Sequence, residues 1–180
     1  MKRWPLMISF LWVLLPAVAF SASYAPVADF SRVANNPQCR LTTMHEAFLK
    51  TWTPPAGFFV VPPYPNAVLT SAIPSGKAQV HGQPYQTLPS AVLLSSDPPD
   101  KIGEFYKGRL GESWRLTEHG DILYLYRSPQ PFASGQALFE QVMSKPGSLP
   151  HIAIEGQVGP CDQQLVPGVR TRITIVSPPR

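Results

Sequence analysis

Proline is the residue that most constrains this chain, because it interrupts one long stretch too often for regular secondary structure. Between Pro54 and Pro89 lie eight of the chain's 22 prolines. Proline has no amide hydrogen to donate, so within sheets it is confined to edges, strand starts and bulges. The run "FFVVPPYPNAVL" mixes short β-prone stretches with such residues. We therefore expect extended, partly polyproline-like backbone and edge strands in this region.

Regular periodicity begins at residue 90. "AVLLSS" predicts a buried strand, and "DPPDKIGEFYKGRL" predicts a helix with Asp97 as its cap and an apolar arc of Ile102, Phe105, Tyr106 and Leu110. "SWRLTEHGDILYLYR" predicts two strands around a tight turn at 119–121. "SPQPFASGQALFEQVMSK" predicts a second helix that begins between Pro129 and Gly135 and has an apolar arc of Leu138, Phe139, Val142 and Met143. "HIAIEG" and "RTRITIVS" predict two more strands through their alternation.

This order predicts an α+β fold. Two helices on one face of a mainly antiparallel sheet would bury the apolar stripes, and a Pro-rich extended segment precedes them. Upstream, "MHEAFLKTW" spaces Met44, Phe48 and Trp52 four apart, which is typical of a short helix. We expect a lead-in segment with this helix over 24–57 and a single α+β domain over 58–180.

The first 23 residues are typical of an export signal. Lys2 and Arg3 precede an uncharged run that ends in small residues. The run is shorter than the roughly 20 residues needed to cross a bilayer, and Pro16 lies near its end. We expect cleavage after Ser23, Ser21 being the alternative, and hence a periplasmic or secreted protein with no stable membrane span.

Charge and cysteines narrow the possible functions. Without Lys2 and Arg3 the net charge is +2, because 13 basic residues then face 11 acidic ones. That balance, without clusters of Lys or Arg, argues against a nucleic-acid partner. Cys39 and Cys161 are the two cysteines, and in an oxidising compartment we expect them to form a disulfide. A catalytic thiol is the alternative, although neither cysteine has a histidine close in sequence.

The stretch from "YPNAV" through "LPSAVLLSSDPPDKIGEFYKGRLGESWRL" to "ILYLYR" resembles a small exported bacterial α+β domain of unassigned function. In that type of domain a strand ends at Asp, a helix carries Phe-Tyr followed by Leu, and a Trp opens the next pair of strands. The resemblance covers about residues 64–127. It implies export and the fold, and it transfers no functional residue.

Residues with catalytic or ligand-binding chemistry form no known motif. The histidines, His45, His81, His119 and His151, have no zinc spacing, and no phosphate-binding loop or serine nucleophile motif is present. Ser96 is better explained by the turn before the first predicted helix. The carboxylates at 97 and 100 would lie at that helix start, where the ionised form is favoured. We therefore expect a noncatalytic protein without metal or cofactor.

The aromatic side chains of the Pro-rich region suggest binding instead. Because prolines keep this region out of regular ladders, we expect part of it to be an exposed surface that binds a protein or peptide of the cell envelope. The candidate residues are Trp52, Phe58, Phe59, Tyr64 and Tyr85. A carrier of a small apolar ligand, with a cavity lined by Phe105, Tyr124 and Phe139, is the alternative. A small hydrolase using His119 or His151 is the third hypothesis.

Overall fold

The structure, a computed structural model, describes Tyr24 and residues 26–180. The expected export signal, at 1–23, lies outside the described residues. Two single 3₁₀ turns, Phe30–Arg32 and Pro37–Cys39, precede the first helix. The α-helices are α1 (Arg40–Thr51), α2 (Pro99–Leu110), α3 (Gly135–Ser144) and α4 (Pro160–Leu165). The strands are β1 (Val68–Ile73), β2 (Gly76–Val80), β3 (Gln83–Thr87), β4 (Ser90–Ser95), β5 (Arg115–His119), β6 (Ile122–Tyr126), β7 (His151–Glu155) and β8 (Thr171–Val176).

Six of the strands form one antiparallel sheet in the order β1-β4-β8-β7-β6-β5. The predicted α+β class with a mainly antiparallel sheet is therefore confirmed. Strands β2 and β3 form a separate hairpin whose turn is His81-Gly82, both at positive φ. This hairpin was not predicted as a unit, because its strands are partly exposed throughout and Pro84 lies within one of them.

Helices pack on both faces of the sheet. Its register places the isoleucines of "HIAIEG" and "RTRITIVS" side by side with Leu125, and this face contacts Ile102 and Tyr106 of α2. We call it the α2 face. Alternate residues such as Tyr124 and Ala153 form the opposite face and pack with Leu138 of α3. The two predicted helices therefore lie on opposite faces rather than together, since a strand that is apolar on both sides can be covered on both.

Two glycines allow the helices to approach the sheet closely. A Cβ at Gly103 of α2 would lie 2.6 Å from Leu123 Cδ2, and one at Gly135 of α3 would lie 1.8 Å from the Glu118 carbonyl oxygen. Both distances are shorter than a normal contact. At Gly135 the obstacle is backbone, so a side chain there must displace the helix, whereas at Gly103 the flexible end of Leu123 would have to move. Gly108, the other glycine of α2, has open space around it, and nothing in the structure explains it.

The segment before the sheet is built into the same core. Tyr24, Phe30, Val33 and Leu49 are buried in the hydrophobic cluster that includes the α2 face. The predicted disulfide joins Cys39 to Cys161 and is confirmed. It ties the start of α1 to α4. Formation of a disulfide is compatible with an oxidising, exported location.

Candidate functional site

The structure places two of the five predicted binding residues in the core. Phe59 is 1% exposed and Tyr64 is 5% exposed. The Phe59 ring lies 5.1 Å from that of Tyr24, and the Tyr64 ring meets that of Phe105 edge-on at 5.0 Å. The prolines around them keep the backbone out of the sheet ladder without keeping the side chains out of the core.

The Tyr64 hydroxyl fixes the beginning of α2. It donates a hydrogen bond to Asp97 Oδ2 at 2.9 Å, while Lys101 Nζ lies 2.9 Å from Oδ1. The bonds from Lys101 and Tyr64 hold the pKa of Asp97 below its usual value. Burial, reinforced by the neighbouring carboxylate, raises the pKa of Tyr64 to about 12. Asp97 is therefore a partner of side chains, whereas the residue at the helix cap is Pro98.

The other three predicted residues are half-buried and lie in two places. The Trp52 ring contacts that of Phe58 edge-on at 5.4 Å, beside Phe59. Tyr85 belongs to the β2–β3 hairpin, and its hydroxyl donates to the Pro146 carbonyl at 3.1 Å, after the end of α3. The five residues therefore do not form one exposed surface.

An apolar groove opens instead on the face of the sheet opposite the α2 face, where α3 packs. It has a volume of about 320 Å³. Its floor is formed by Ser90, His151, Thr174 and Val176, which come from three neighbouring strands, and its walls by β1, α3 and two loops. We call this the α3 groove; its other lining residues are Ile73, Thr87, Leu88, Val142, Met143, Pro146 and Gly147. Among the residues that the structure describes, none with a charged side chain belongs to this lining.

The groove exists because one helix is too narrow for the sheet. Six strands span about 24 Å, whereas a helix with its side chains is about 10–12 Å wide. Helix α3 contacts β5 and packs on Tyr124 and Ala153, which leaves the β4–β8 part of this face open. The loop after α3 closes one end, where the Leu88 amide donates to the Gly147 carbonyl at 2.7 Å. At the rim, Ile73 is 46% and Met143 61% exposed.

His151 is the polar side chain that matters most in the groove floor. It is only 3% exposed, and its Nδ1 lies 2.8 Å from the Leu149 carbonyl oxygen. Among the residues that the structure describes, Nε2 has no hydrogen-bond partner, and it is not one of the fully enclosed unpaired atoms. Burial lowers the pKa of His151, partly offset by the bond to Leu149. Burial therefore favours the neutral form of the ring at pH 7.

The remaining histidines lie in unrelated places. His119 is stacked on Phe139 with ring centroids 4.5 Å apart, and His81 occupies the hairpin turn at φ 49°. His45 is on α1, where burial and the positive charge of Arg172 lower its pKa. Within the described part of the chain, no three His, Cys, Asp or Glu side chains are arranged to hold a metal ion.

The residues of the proposed ligand cavity are also separated. Phe105 lies against Tyr64 on the α2 face, whereas Tyr124 and Phe139 belong to the cluster under α3. Sequence reasoning missed the α3 groove because it assigned Val142 and Met143 to the buried stripe of their helix. The alternation in "HIAIEG" contains the signal for His151. Because Ile152 and Ile154 share one face of the strand, His151 lies on the other.

The chain matches no protein-family model, and neither the curated proteins nor the solved structures include a significant match to it. Over the described residues, no helix combines the length and the apolar character needed to cross a membrane.

Proposed function

We propose that the protein is an exported, noncatalytic module of the cell envelope that binds an apolar segment of a protein or peptide partner in the α3 groove. The observation that carries this proposal is the groove itself. It combines an uncharged lining with exposed apolar residues at its rim. Apolar surface that stays open beside a well-packed core is typical of interaction sites.

The periplasmic location rests on two features. The first 23 residues have the charge and apolar pattern of a cleaved signal. The disulfide of the folded chain suits the oxidising compartment to which that signal would lead. The mass of the mature protein recovered from a periplasmic fraction tests this part of the proposal, because cleavage after Ser23 leaves Tyr24 as the first residue.

The groove favours binding over nucleophilic catalysis. Ser90 is in register with Val176, and Val176 with His151, so two strand spacings separate the serine from the imidazole. Among the described residues, no hydrogen bond joins the Ser90 hydroxyl to the His151 ring, whose Nδ1 is paired with the Leu149 carbonyl. His151 is therefore not set to activate this serine, which makes the hydrolase the weaker hypothesis.

A charge placed in the groove tests the proposal. Val142→Glu puts a carboxylate into a half-buried lining without charged residues among those described and should abolish partner retention, because an apolar partner would remove the hydration of this charge. Gln136→Glu adds the same charge to the same helix at an exposed position outside the groove. It loses the hydrogen bond to Glu140 and is the control for the charge itself. Equal retention of the partner by both folded variants, measured by chemical crosslinking in the periplasm, would contradict the proposal.

A small apolar ligand is the second candidate occupant, favoured by the volume of the groove. About 320 Å³ lies at the lower end of the range for small-molecule sites. Native mass spectrometry of protein purified gently without reductant separates the two candidates. A stoichiometric small mass identifies a carrier, whereas a co-purifying chain that Val142→Glu no longer retains identifies an interaction module.

A further inference from the structure

We propose that His151 Nε2 selects the residue that enters the α3 groove, by accepting a hydrogen bond from the N–H or O–H of an aromatic partner side chain, tryptophan or tyrosine. This inference rests on the proposed function and names the chemistry of the partner at that same site.

The tautomer of His151 follows from the hydrogen bond at Nδ1. Nδ1 lies 2.8 Å from the Leu149 carbonyl oxygen. A carbonyl oxygen only accepts hydrogen bonds, so the proton of the neutral ring must be on Nδ1. Nε2 then carries a lone pair and can only accept. The backbone before β7 thus orients the imidazole as a fixed acceptor within the groove lining.

Burial makes that acceptor selective. His151 is nine-tenths buried or more, and its Nε2 has no hydrogen-bond partner among the described residues. A partner that fills the groove displaces water from this atom. An entirely apolar side chain would then leave a buried acceptor unpaired, which costs more than an ordinary hydrogen bond contributes. A side chain with a donor at the right place avoids that cost.

The uncharged lining limits the donors that fit. Lysine and arginine donate hydrogen bonds but would lose the hydration of their charge in a groove whose described lining contains no acidic residue. Serine and threonine are neutral but fill little apolar volume. Among peptide side chains, tryptophan and tyrosine combine a large apolar ring with one N–H or O–H donor. The thioether of Met143 at the rim also suits an aromatic ring.

Matched peptides test this inference on the full mature chain. The probes are short glycine-flanked peptides that contain tryptophan, 1-methyltryptophan, tyrosine or O-methyltyrosine, titrated while the methyl groups of Val142 and the imidazole nitrogens of His151 are followed by NMR. Each methylated residue keeps the ring but lacks the donor. We expect the unmethylated member of at least one pair to bind roughly fivefold to tenfold more tightly. Binding of that member should also shift the Nε2 resonance.

A variant provides the second readout. In His151→Leu the acceptor is absent, so the preference within each pair should disappear while apolar binding persists. His81→Asn is the control, because this turn position at positive φ lies outside the groove and tolerates asparagine. If His151→Leu fails to fold, the Nε2 shift of the unmodified protein still decides the question.

The outcomes separate the inference from the proposed function. Equal binding within both pairs, with shifts at Val142 but none at Nε2, would overturn the inference and leave the groove as the binding site. Absence of groove shifts with every peptide would overturn both. Free indole that binds as tightly as the tryptophan peptide would replace the peptide source with a small molecule and so also overturn the inference.

Discussion

The Pro-rich aromatic segment has an irregular backbone but buried side chains, whereas the α3 groove has a regular backbone but exposed side chains. The segment, residues 52–66, is irregular in backbone, yet it contributes Phe59 and Tyr64 to the core. The groove is lined by a regular helix and strands, yet it leaves Met143 and Ile73 exposed. Proline removes a backbone donor but leaves neighbouring side chains free to pack. The spacing of apolar residues along a helix predicts which face packs on the sheet. It does not predict how much of the sheet the helix covers.

The largest expected effect tests whether the segment is core. Phe59→Ala should lower the free energy of unfolding by about 3–5 kcal/mol, because it leaves a cavity beside Tyr24 and Phe58. Phe58→Ala, at a half-buried neighbour, should cost clearly less. Urea denaturation of both variants provides the measurement. If both variants lost the same small amount of unfolding free energy, the segment would be surface rather than core.

The disulfide should have the next largest effect. Replacing both Cys39 and Cys161 with serine should cost about 2–4 kcal/mol, since the bridge closes a long loop in the unfolded chain. The loss should fall on the α1–α4 side and leave the α3 groove formed. The measurement is denaturation together with NMR of the Val142 methyl groups, and a collapsed groove would show that the two regions are coupled.

Gly135→Ala should move a wall of the groove without touching its lining. The added Cβ would meet the Glu118 carbonyl, so α3 must shift away from β5. We expect a loss of about 1–3 kcal/mol, typical of overpacking, and altered groove resonances. Gly108→Ala, in open space on α2, is the control and should be neutral or slightly stabilising, as alanine favours helices over glycine. An unshifted groove in Gly135→Ala would contradict the close contact.

The pH dependence of stability should report the buried histidine. Burial lowers the pKa of His151 below the ordinary 6.5. Between the lowered value and 6.5 the unfolded chain binds more protons than the folded one. Stability attributable to His151 is therefore complete above pH 6.5 and declines as the pH falls toward the folded pKa. Comparison of unmodified protein with His151→Leu at pH 7.5 and pH 5 isolates this contribution, and identical slopes would contradict it.

Met143→Ser should have the smallest effect on stability and is the sharpest contrast to Phe59→Ala. The side chain is mostly exposed, so the free energy of unfolding should change by under about 0.5 kcal/mol. Partner retention should nevertheless weaken, because the rim loses apolar contact. A variant that is destabilised but binds normally would reverse the roles assigned to the two regions.

Much of the fold could be predicted because alternation and helical spacing are local signals. They gave β4, α2, the β5–β6 pair, α3, β7 and β8, and the cysteines gave the disulfide. The α4 helix was missed because six residues in a loop show too little periodicity. The opposite placement of α2 and α3 was missed because an apolar stripe does not say which face of a two-sided sheet it covers.

The candidate site was less predictable, because it depends on tertiary geometry. Phe59 and Tyr64 were chosen for their composition, and burial is decided by partners such as Tyr24 and Phe105 that are distant in sequence. The α3 groove arises from the width of the sheet relative to a single helix, which no local pattern contains. From the sequence, only the face of its strand on which His151 lies could be predicted.

The most direct test of the account is photocrosslinking at the two regions in cells that export the full chain. A photoreactive amino acid replaces Met143 at the groove rim or, in a second variant, half-buried Phe58. We expect a discrete adduct with an envelope protein from position 143 that Val142→Glu abolishes, and none from position 58. A discrete adduct from position 58 with none from position 143 would contradict the account and return the binding site to the Pro-rich aromatic segment.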